Sequence, residues 1–507
     1  MRFADPFYGY SFMLRTIVYV LVPAFTVFQF VRLRRALHVF QLEGYKRRRF
    51  LQWCRENPRR ARFLAPAGSK KPLVMTGRAW RIVVLATLLN VGAVLLLPAM
   101  AHLSTGAPWD ILTWVVVTIL LFFGAPQLLT AADWLLTPVQ HAINGRYRRR
   151  AQAKITRFAP AVIGITGSFG KTSTKFAIAG LLGTPDEAFA TPGSYNTPMG
   201  VVRAINEGLE ESHRYLVVEM GAYREGDIAE LVSFVRPTVG VLTAIGPAHL
   251  ERFGSMDAIR RAKYEIVAGL PSGGTAVMNV DDAEVRALAD ATDQVNVIRY
   301  GIDTAASPDV TAHSHSYSSE GTQMTIVDAD GGELSVTTRL LGPHAIGHIL
   351  AGVAVARVHG IALADIGPRI AALEPVEHRL QLIRGAGGVT VIDDAFNSNP
   401  AGAAAALEVL AGMGPGKRIV ITPGIVELGE LQAQENERFA EHAAHVADVL
   451  IIVGRLNRAP IVAGAARGDA DVIVVDRLDE ATERLSAVVR PGDVVLFEND
   501  LPDQYED

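Results

Sequence analysis

Cysteine is nearly absent: Cys54 is the single one in 507 residues, which rules out an internal disulfide framework and fits a reducing compartment. Net charge is also scarce, −3 over the whole chain, so the broad cationic surface of a nucleic-acid binder is not expected and no nucleic-acid partner is inferred. The C-terminal part has no G-x-G-x-x-G fingerprint, which argues against a dinucleotide there. A cleavable leader is not expected either. Only Arg2 is basic before the first apolar stretch, Asp5 offsets it, and no small-residue cleavage site follows.

What is present is unevenly spread. Phe12–Val31 is apolar apart from Arg15, Ile82–Ala101 has no charge, and Ile111–Thr130 is rich in Val, Leu, Ile and Phe. Each is long enough to cross a hydrocarbon core of about 30 Å as a helix. Between the first two stretches, Arg32 to Arg81 holds fifteen Lys and Arg, whereas His102 to Asp110 holds none. Arg146, Arg148, Arg149, Arg150, Lys154 and Arg157 follow the third. The positive charges therefore orient the N-terminus outside, and the basic loop and everything after residue 131 inside. Trp80, Trp109, Trp114 and Trp134 lie near the span ends, where indoles favour the interface. The expectation is a multi-pass protein of the cell membrane with cytoplasmic domains. The basic loop either sets topology against anionic head groups or meets a polyanionic substrate or partner. Val139–Ala153 reads as an amphipathic linker.

The chemistry is organised around Ala159–Lys175, APAVIGITGSFGKTSTK. An apolar strand runs into a glycine-rich turn and then a helix, the arrangement of a phosphate cradle: backbone N–H groups, a positive helix end and a lysine converge. Position 165 is Ile, so the usual G-x-x-x-x-G-K-[ST] spacing is replaced by T-G-S-F-G-K-T. Thr166, Gly167, Ser168, Gly170, Lys171, Thr172 and Ser173 are the candidate nucleoside triphosphate contacts.

Beyond it, strands Arg214–Met220, Pro237–Ile245 and Gly274–Val280 alternate with helices such as Ser255–Ala268, the pattern of an open parallel sheet with ligands at the strands' C-terminal edge. Glu219 and His249 each follow such a strand, placed to hold a cation that bridges phosphates with the Thr172 hydroxyl. Taken singly, His249 reads as a satisfied histidine, Glu219 as the partner of a lysine, and Lys263 as an ordinary helix lysine. Gln323–Leu340 reads as a hairpin, with His313 and His315 in a solvated polar loop before it. A second doubly wound sheet is expected from Val389–Asp394, Arg418–Thr422, Val449–Val453, Val472–Val475 and Val494–Phe497. Three regions result: 1–157, a membrane anchor; 158–376, an ATP-binding domain; and 377–507, a Rossmann-like domain.

The motif string resembles the Mur ligase family, most of all the branch that joins UDP-N-acetylmuramoyl-tripeptide to D-alanyl-D-alanine. It comprises ITGSFGKTSTK, NTPMGVV, EMGAYREGDIAEL, IGPAHLERFGSMDAIRRAKYEI, VMNVDD, LLGPHAIGHILAGVAVA, HRLQ, DDAFNSNP and VELGE, from residue 165 to about 430. The fold class implied is α/β: a central P-loop ATPase domain and a C-terminal Rossmann-like domain, here preceded by about three transmembrane helices. The resemblance implies ATP and two Mg²⁺ ions as cofactors. Lys171 would hold the β/γ-phosphates, Thr172 and Glu219 the first Mg²⁺, and His249 the second, together with Lys263 if carbamylated. Lys171, His249 and Lys263 would then be catalytic. Asn279 would contact adenine, Arg379 and Asp394 phosphate and ribose, and Asn397 and Asn399 the nucleotide or acceptor.

The implied reaction is a two-step ligation of a carboxylate and an amine through an acyl phosphate. Three departures bear on the substrates. Membrane helices replace the family's UDP-sugar domain; the acidic stretch FENDLPDQYED (Phe497–Asp507) replaces a lysine- and serine-bearing one; His348 stands where the family usually has Asn. The leading expectation is therefore a membrane-anchored amide-forming ligase acting on an envelope precursor, lipid-linked or polymeric. The alternatives are the D-alanyl-D-alanine-adding enzyme itself, a membrane ATPase that powers transport or signalling, and a non-catalytic scaffold.

Overall fold

The computed structural model describes residues 20–58, 72–105, 109–248, 250–318, 321–375, 378–395 and 398–500. The chain divides after Arg146 into two compact units.

The first unit is helical. Its core brings together Leu33, Leu37, Phe40, Phe50, Ile82, Val83 and Leu129, and Asp133 is paired with Arg78 at 2.9 Å and Arg47 at 3.7 Å. Outward-facing Val84, Leu88, Leu95 and Leu96 share a helix with the buried residues. The expectation of three spans is corrected here. Among the described residues one helix, Gly77–Leu97 with mean hydropathy 2.1, is long and apolar enough to cross a membrane. The third stretch is not one rod: Leu112–Phe123 and Ala125–Phe158 meet at 79°. The break falls at Gly124, where an added Cβ would lie 2.7 Å from the Leu120 carbonyl oxygen. Pro126 follows, without an N–H to donate back to the preceding helix. The first stretch lies partly outside the described residues. Its described end continues as the helix Val22–Leu42, which runs on through Arg32, Arg34 and Arg35.

The second unit carries two sheets. Among the described residues the first has nine strands in the order β2-β3-β1-β4-β5-β6-β7-β8-β9. These are β1 (Ala161–Thr166), β2 (Ala188–Ala190), β3 (Tyr215–Glu219), β4 (Val239–Leu242), β5 (Thr275–Asn279), β6 (Asn296–Gly301), β7 (Val310–Ser318), β8 (Gly321–Val327) and β9 (Glu333–Thr338). Neighbours are parallel up to β7, and β7, β8 and β9 are antiparallel. His313 and His315 lie on β7 rather than in a loop, and both remain exposed. Both faces of the parallel strands are apolar because helices cover them: Ile163, Ile165 and Val241 pack on one side, Val162, Leu216 and Val218 on the other.

The second sheet runs β10-β11-β15-β12-β13-β14, with β10 (Gln381–Arg384), β11 (Thr390–Asp394), β12 (Arg418–Thr422), β13 (Val449–Val453), β14 (Asp471–Val475) and β15 (Val494–Glu498). β10 pairs antiparallel with β11, and the other pairs are parallel. The last strand in sequence therefore lies between β11 and β12. Its terminal residue is consequently buried, and Glu498 is not part of an exposed acidic tip; residues 501–507 lie outside the described set.

Candidate active site

β1 delivers the chain into Gly167–Gly170, and the helix Lys171–Leu182 begins directly after. The turn must be glycine at both ends. Gly167 has φ +154°, and a Cβ there would lie 2.0 Å from Thr243 Oγ1; Gly170 has φ +76°, with His348 Cε1 at 3.0 Å from its Cβ position. The loop is pinned to the turn after β4. Ser168 N–H donates to the Ala244 carbonyl at 2.7 Å, and the Thr243 hydroxyl donates to the Phe169 carbonyl at 2.5 Å. Thr166 Oγ1 donates to the Met220 carbonyl at 2.9 Å, which ties the end of β1 to the end of β3.

Lys171 donates to the Gly167 and Ser168 carbonyls at 2.8 and 3.2 Å. Burial lowers its pKa to about 8, with Glu219 opposing and Arg379 reinforcing the shift. Glu219 ends β3 and is buried. Its Oε2 accepts from the Thr172 hydroxyl at 2.9 Å and from Lys175 at 3.3 Å; its Oε1 accepts from Asn196 Nδ2 at 3.0 Å. A hydroxyl and one carboxylate thus converge beside the phosphate turn, a donor set that suits Mg²⁺, which takes one or two protein oxygens and keeps phosphate and water for the rest. Among the described residues no three His, Cys, Asp or Glu side chains form a metal cluster. A site completed by phosphate does not require one. His249 lies outside the described residues.

Lys263, buried on the helix Met256–Ala268, sits over the Phe253 ring at 5.9 Å. Burial, then the charge on Lys171, brings it down to about 7 against the pull of Asp227 and Glu265. An amine so easily neutralised is chemically ready to take up carbon dioxide.

Two adjoining cavities share Phe169, Gly170, Thr172, Ser173, Arg379 and Ser398 as lining. The smaller, about 350 Å³, also exposes Lys171, Asn196, Glu219 and Glu427, and Asn399 lines both. The larger, about 1180 Å³, is walled by Asn279, Tyr300, Ile302, Leu341, His348 and Asp394. Asn279 Nδ2 donates to the Thr243 carbonyl at 2.9 Å, which fixes the amide at the wall. His348 Nδ1 hydrogen-bonds Thr174 Oγ1 at 2.9 Å, and burial keeps the ring neutral, its pKa near 3. Arg379 is held below its usual value by burial, with Asp394, Glu219 and Glu498 opposing. It therefore bridges electrostatically between the two sheets' strand ends.

Of the residues expected from sequence, the structure brings together Thr166, Gly167, Ser168, Gly170, Lys171, Thr172, Ser173 and Glu219 around the turn. Asn279, Arg379 and Asp394 lie along the larger cavity. Sequence reasoning did not single out Lys175 and Asn196. Each lies in a quoted motif, GKTSTK and NTP, and a buried Glu219 needs donors of this kind.

Comparison with known proteins defines the class. The Mur ligase middle domain matches residues 165–356, and the Mur ligase glutamate ligase domain matches residues 378–498. The chain belongs to the Mur ligase family, and it is an ATP-dependent ligase that joins a carboxylate to an amine. It is similar to the UDP-N-acetylmuramoyl-tripeptide–D-alanyl-D-alanine ligase of Mycobacterium leprae, 34% identical over 437 residues, covering 74% of this chain and 80% of that protein. Among solved structures it resembles MurF from Acinetobacter baumannii, with TM-score 0.64, 26% identity and coverage of 71% and 78%. It also resembles the Thermotoga maritima MurF ligase in complex with ADP, with TM-score 0.63, 28% identity and coverage of 70% and 80%.

Proposed function

We propose that this ligase carries out a D-alanyl-D-alanine-adding step of peptidoglycan precursor synthesis. The observation that carries the reading is the junction of the two cavities at Gly170, Thr172 and Arg379, with Lys171 and Glu219 lining the smaller one beside it, on a chain one-third identical to a ligase of that name. The larger cavity suits a nucleoside and the smaller one the reacting groups. A carboxylate oxygen attacks the γ-phosphorus, the bond to the bridging oxygen breaks and ADP leaves. The amine then attacks the acyl carbon, the acyl C–O bond breaks, phosphate departs with its electron pair, and the amine's surplus proton passes to the departing phosphate or to solvent. Charge collects on phosphate oxygens in both steps, and fixed cations in a water-poor cleft lower that barrier most. Lys171 and Arg379 supply such charge. Thr172 and Glu219 would hold one Mg²⁺, and His249 with a carbamylated Lys263 a second; bound there, Mg²⁺ adds further charge neutralisation. Lys175 and Asn196 hold the Glu219 carboxylate in place.

A second reading keeps the chemistry and moves the carboxylate donor to the membrane, as a lipid-linked or polymeric substrate. The helix Gly77–Leu97 and its outward apolar face favour it; the basic residues before it would lie at an anionic cytoplasmic surface. The test supplies full-length protein with Mg-ATP, D-alanyl-D-alanine and either UDP-N-acetylmuramoyl-tripeptide or its lipid-linked counterpart, and follows product mass. Extension of the soluble donor supports the first reading. Extension of the lipid-linked donor alone supports the second, and no amide product from either donor contradicts both.

A further inference from the structure

Glu498 is a carboxyl at the end of a strand with neighbours on both sides, and it is fully buried. An isolated charge there is costly unless it is paired or neutralised. Its Oε1 accepts from the Ser398 hydroxyl, and its Oε2 has no donor among the described residues. The side chain beside it is Asp394, its register partner on β11 and itself a carboxyl. Two ionised carboxylates are both acceptors, so a direct hydrogen bond between them needs a proton on one.

Several groups surround the pair. Arg379 faces both carboxyls, while Asp394 also meets His344 from the helix Pro343–Val358, Asp393 on its own strand, and the Leu380 N–H, which donates to Oδ1 at 3.1 Å. Burial raises both carboxyls above their ordinary values. One guanidinium balances one negative charge, not two.

We propose that Asp394 and Glu498 share a single proton, carried on Glu498, and that Glu498 is a positioning residue. It keeps Asp394 ionised toward the cleft and turns the Ser398 hydroxyl inward, so that the Ser398 oxygen presents lone pairs outward. Asp394 and Ser398 line the larger cavity, and Glu498 acts through them. The inference rests on the cleft being the nucleotide site, where an ionised Asp394 accepts from ligand hydroxyls. When a second ionisation removes the shared proton, two adjacent carboxylates repel and the wall loses its geometry.

Glu498→Gln copies the protonated state: its amide oxygen accepts from Ser398 and its NH₂ donates to Asp394. The experiment measures ADP affinity of the full-length protein by calorimetry from acid to alkaline pH. Wild type is expected to weaken on the alkaline side. Glu498→Gln is expected to match it within about twofold at neutral pH and to lose the alkaline decline. Glu498→Ala removes the donor that Glu498 offers Asp394, which retains the Leu380 N–H, and is expected to weaken binding about tenfold, the scale of one hydrogen bond to a charged group. Infrared spectroscopy should show a protonated-carboxyl band at neutral pH in wild type and its loss in Glu498→Gln. A Glu498→Gln variant as weak as Glu498→Ala, a persistent alkaline decline in it, or no such band in wild type overturns the proposal. Failure of wild type to bind ADP would instead refute the nucleotide reading, and the infrared band would still report on the pair.

Discussion

Lys263 can be struck in a way that separates its chemistry from its packing. The folded chain holds its ammonium near 7, against 10.5 for an ordinary lysine, because the side chain is buried and lies near Lys171. Between those values the unfolded chain binds more protons than the folded one. The lysine's contribution to stability therefore rises with pH from about 7 toward 10.5, and below 7 it is a constant penalty. At about 1.36 kcal/mol per unit, raising the pH from about 6 to about 9 relieves on the order of 2–3 kcal/mol of that penalty. Lys263→Met removes the group. In carbon dioxide-free buffer its stability advantage over wild type should be largest near pH 6 and shrink by that amount near pH 9, read by denaturant unfolding followed by circular dichroism. The same shift leaves roughly half the side chain neutral at pH 7, against about three in ten thousand for an unperturbed lysine, so carbamylation is about a thousandfold easier. Turnover should accordingly vanish in Lys263→Met, and Lys263→Ala should regain part of it with added bicarbonate or formate. A variant with the wild-type pH slope, or with wild-type turnover, would refute the reasoning.

Gly167→Ala should abolish ADP binding, measured by calorimetry, while the circular dichroism spectrum is preserved, because its Cβ would collide with Thr243 and its φ is one an alanine rarely adopts. Glu219→Gln strands the buried Lys175 cation and should lower stability by about 3 kcal/mol or more. Adding Lys175→Met should restore much of that stability but none of the ligase activity, as thermal unfolding and phosphate release would show together. Recovery of activity in the double variant would contradict the assignment of Glu219.

Much of the ligase fold was legible before any coordinates. Arg418–Thr422 and Val449–Val453 are continuous apolar strands between turn residues, and a parallel sheet covered on both faces demands that pattern. The phosphate turn was equally plain, because GKT after a buried strand is a local signal. Other features depend on long-range packing. β7 reads VTAHSHSYS, which composition alone places in part in a loop, since consecutive His313 to Ser316 are open to water where the pairing with β8 shifts register. Glu498 stands in an acidic stretch of the sequence, and insertion of β15 between β11 and β12 buries it. The bend at Gly124 interrupts an apolar stretch whose composition alone describes one straight helix. Lys175 gained meaning from Glu219, 44 residues away in sequence and 3.3 Å away in space.

The most direct test of the central claim is phosphate release by the full-length protein with Mg-ATP, measured with a carboxylate donor alone, an amine acceptor alone, and both. An amide-forming ligase that works through an acyl phosphate predicts sustained release with both substrates and one amide formed per phosphate. Steady release indifferent to donor and acceptor would contradict that account and leave an ATPase in its place.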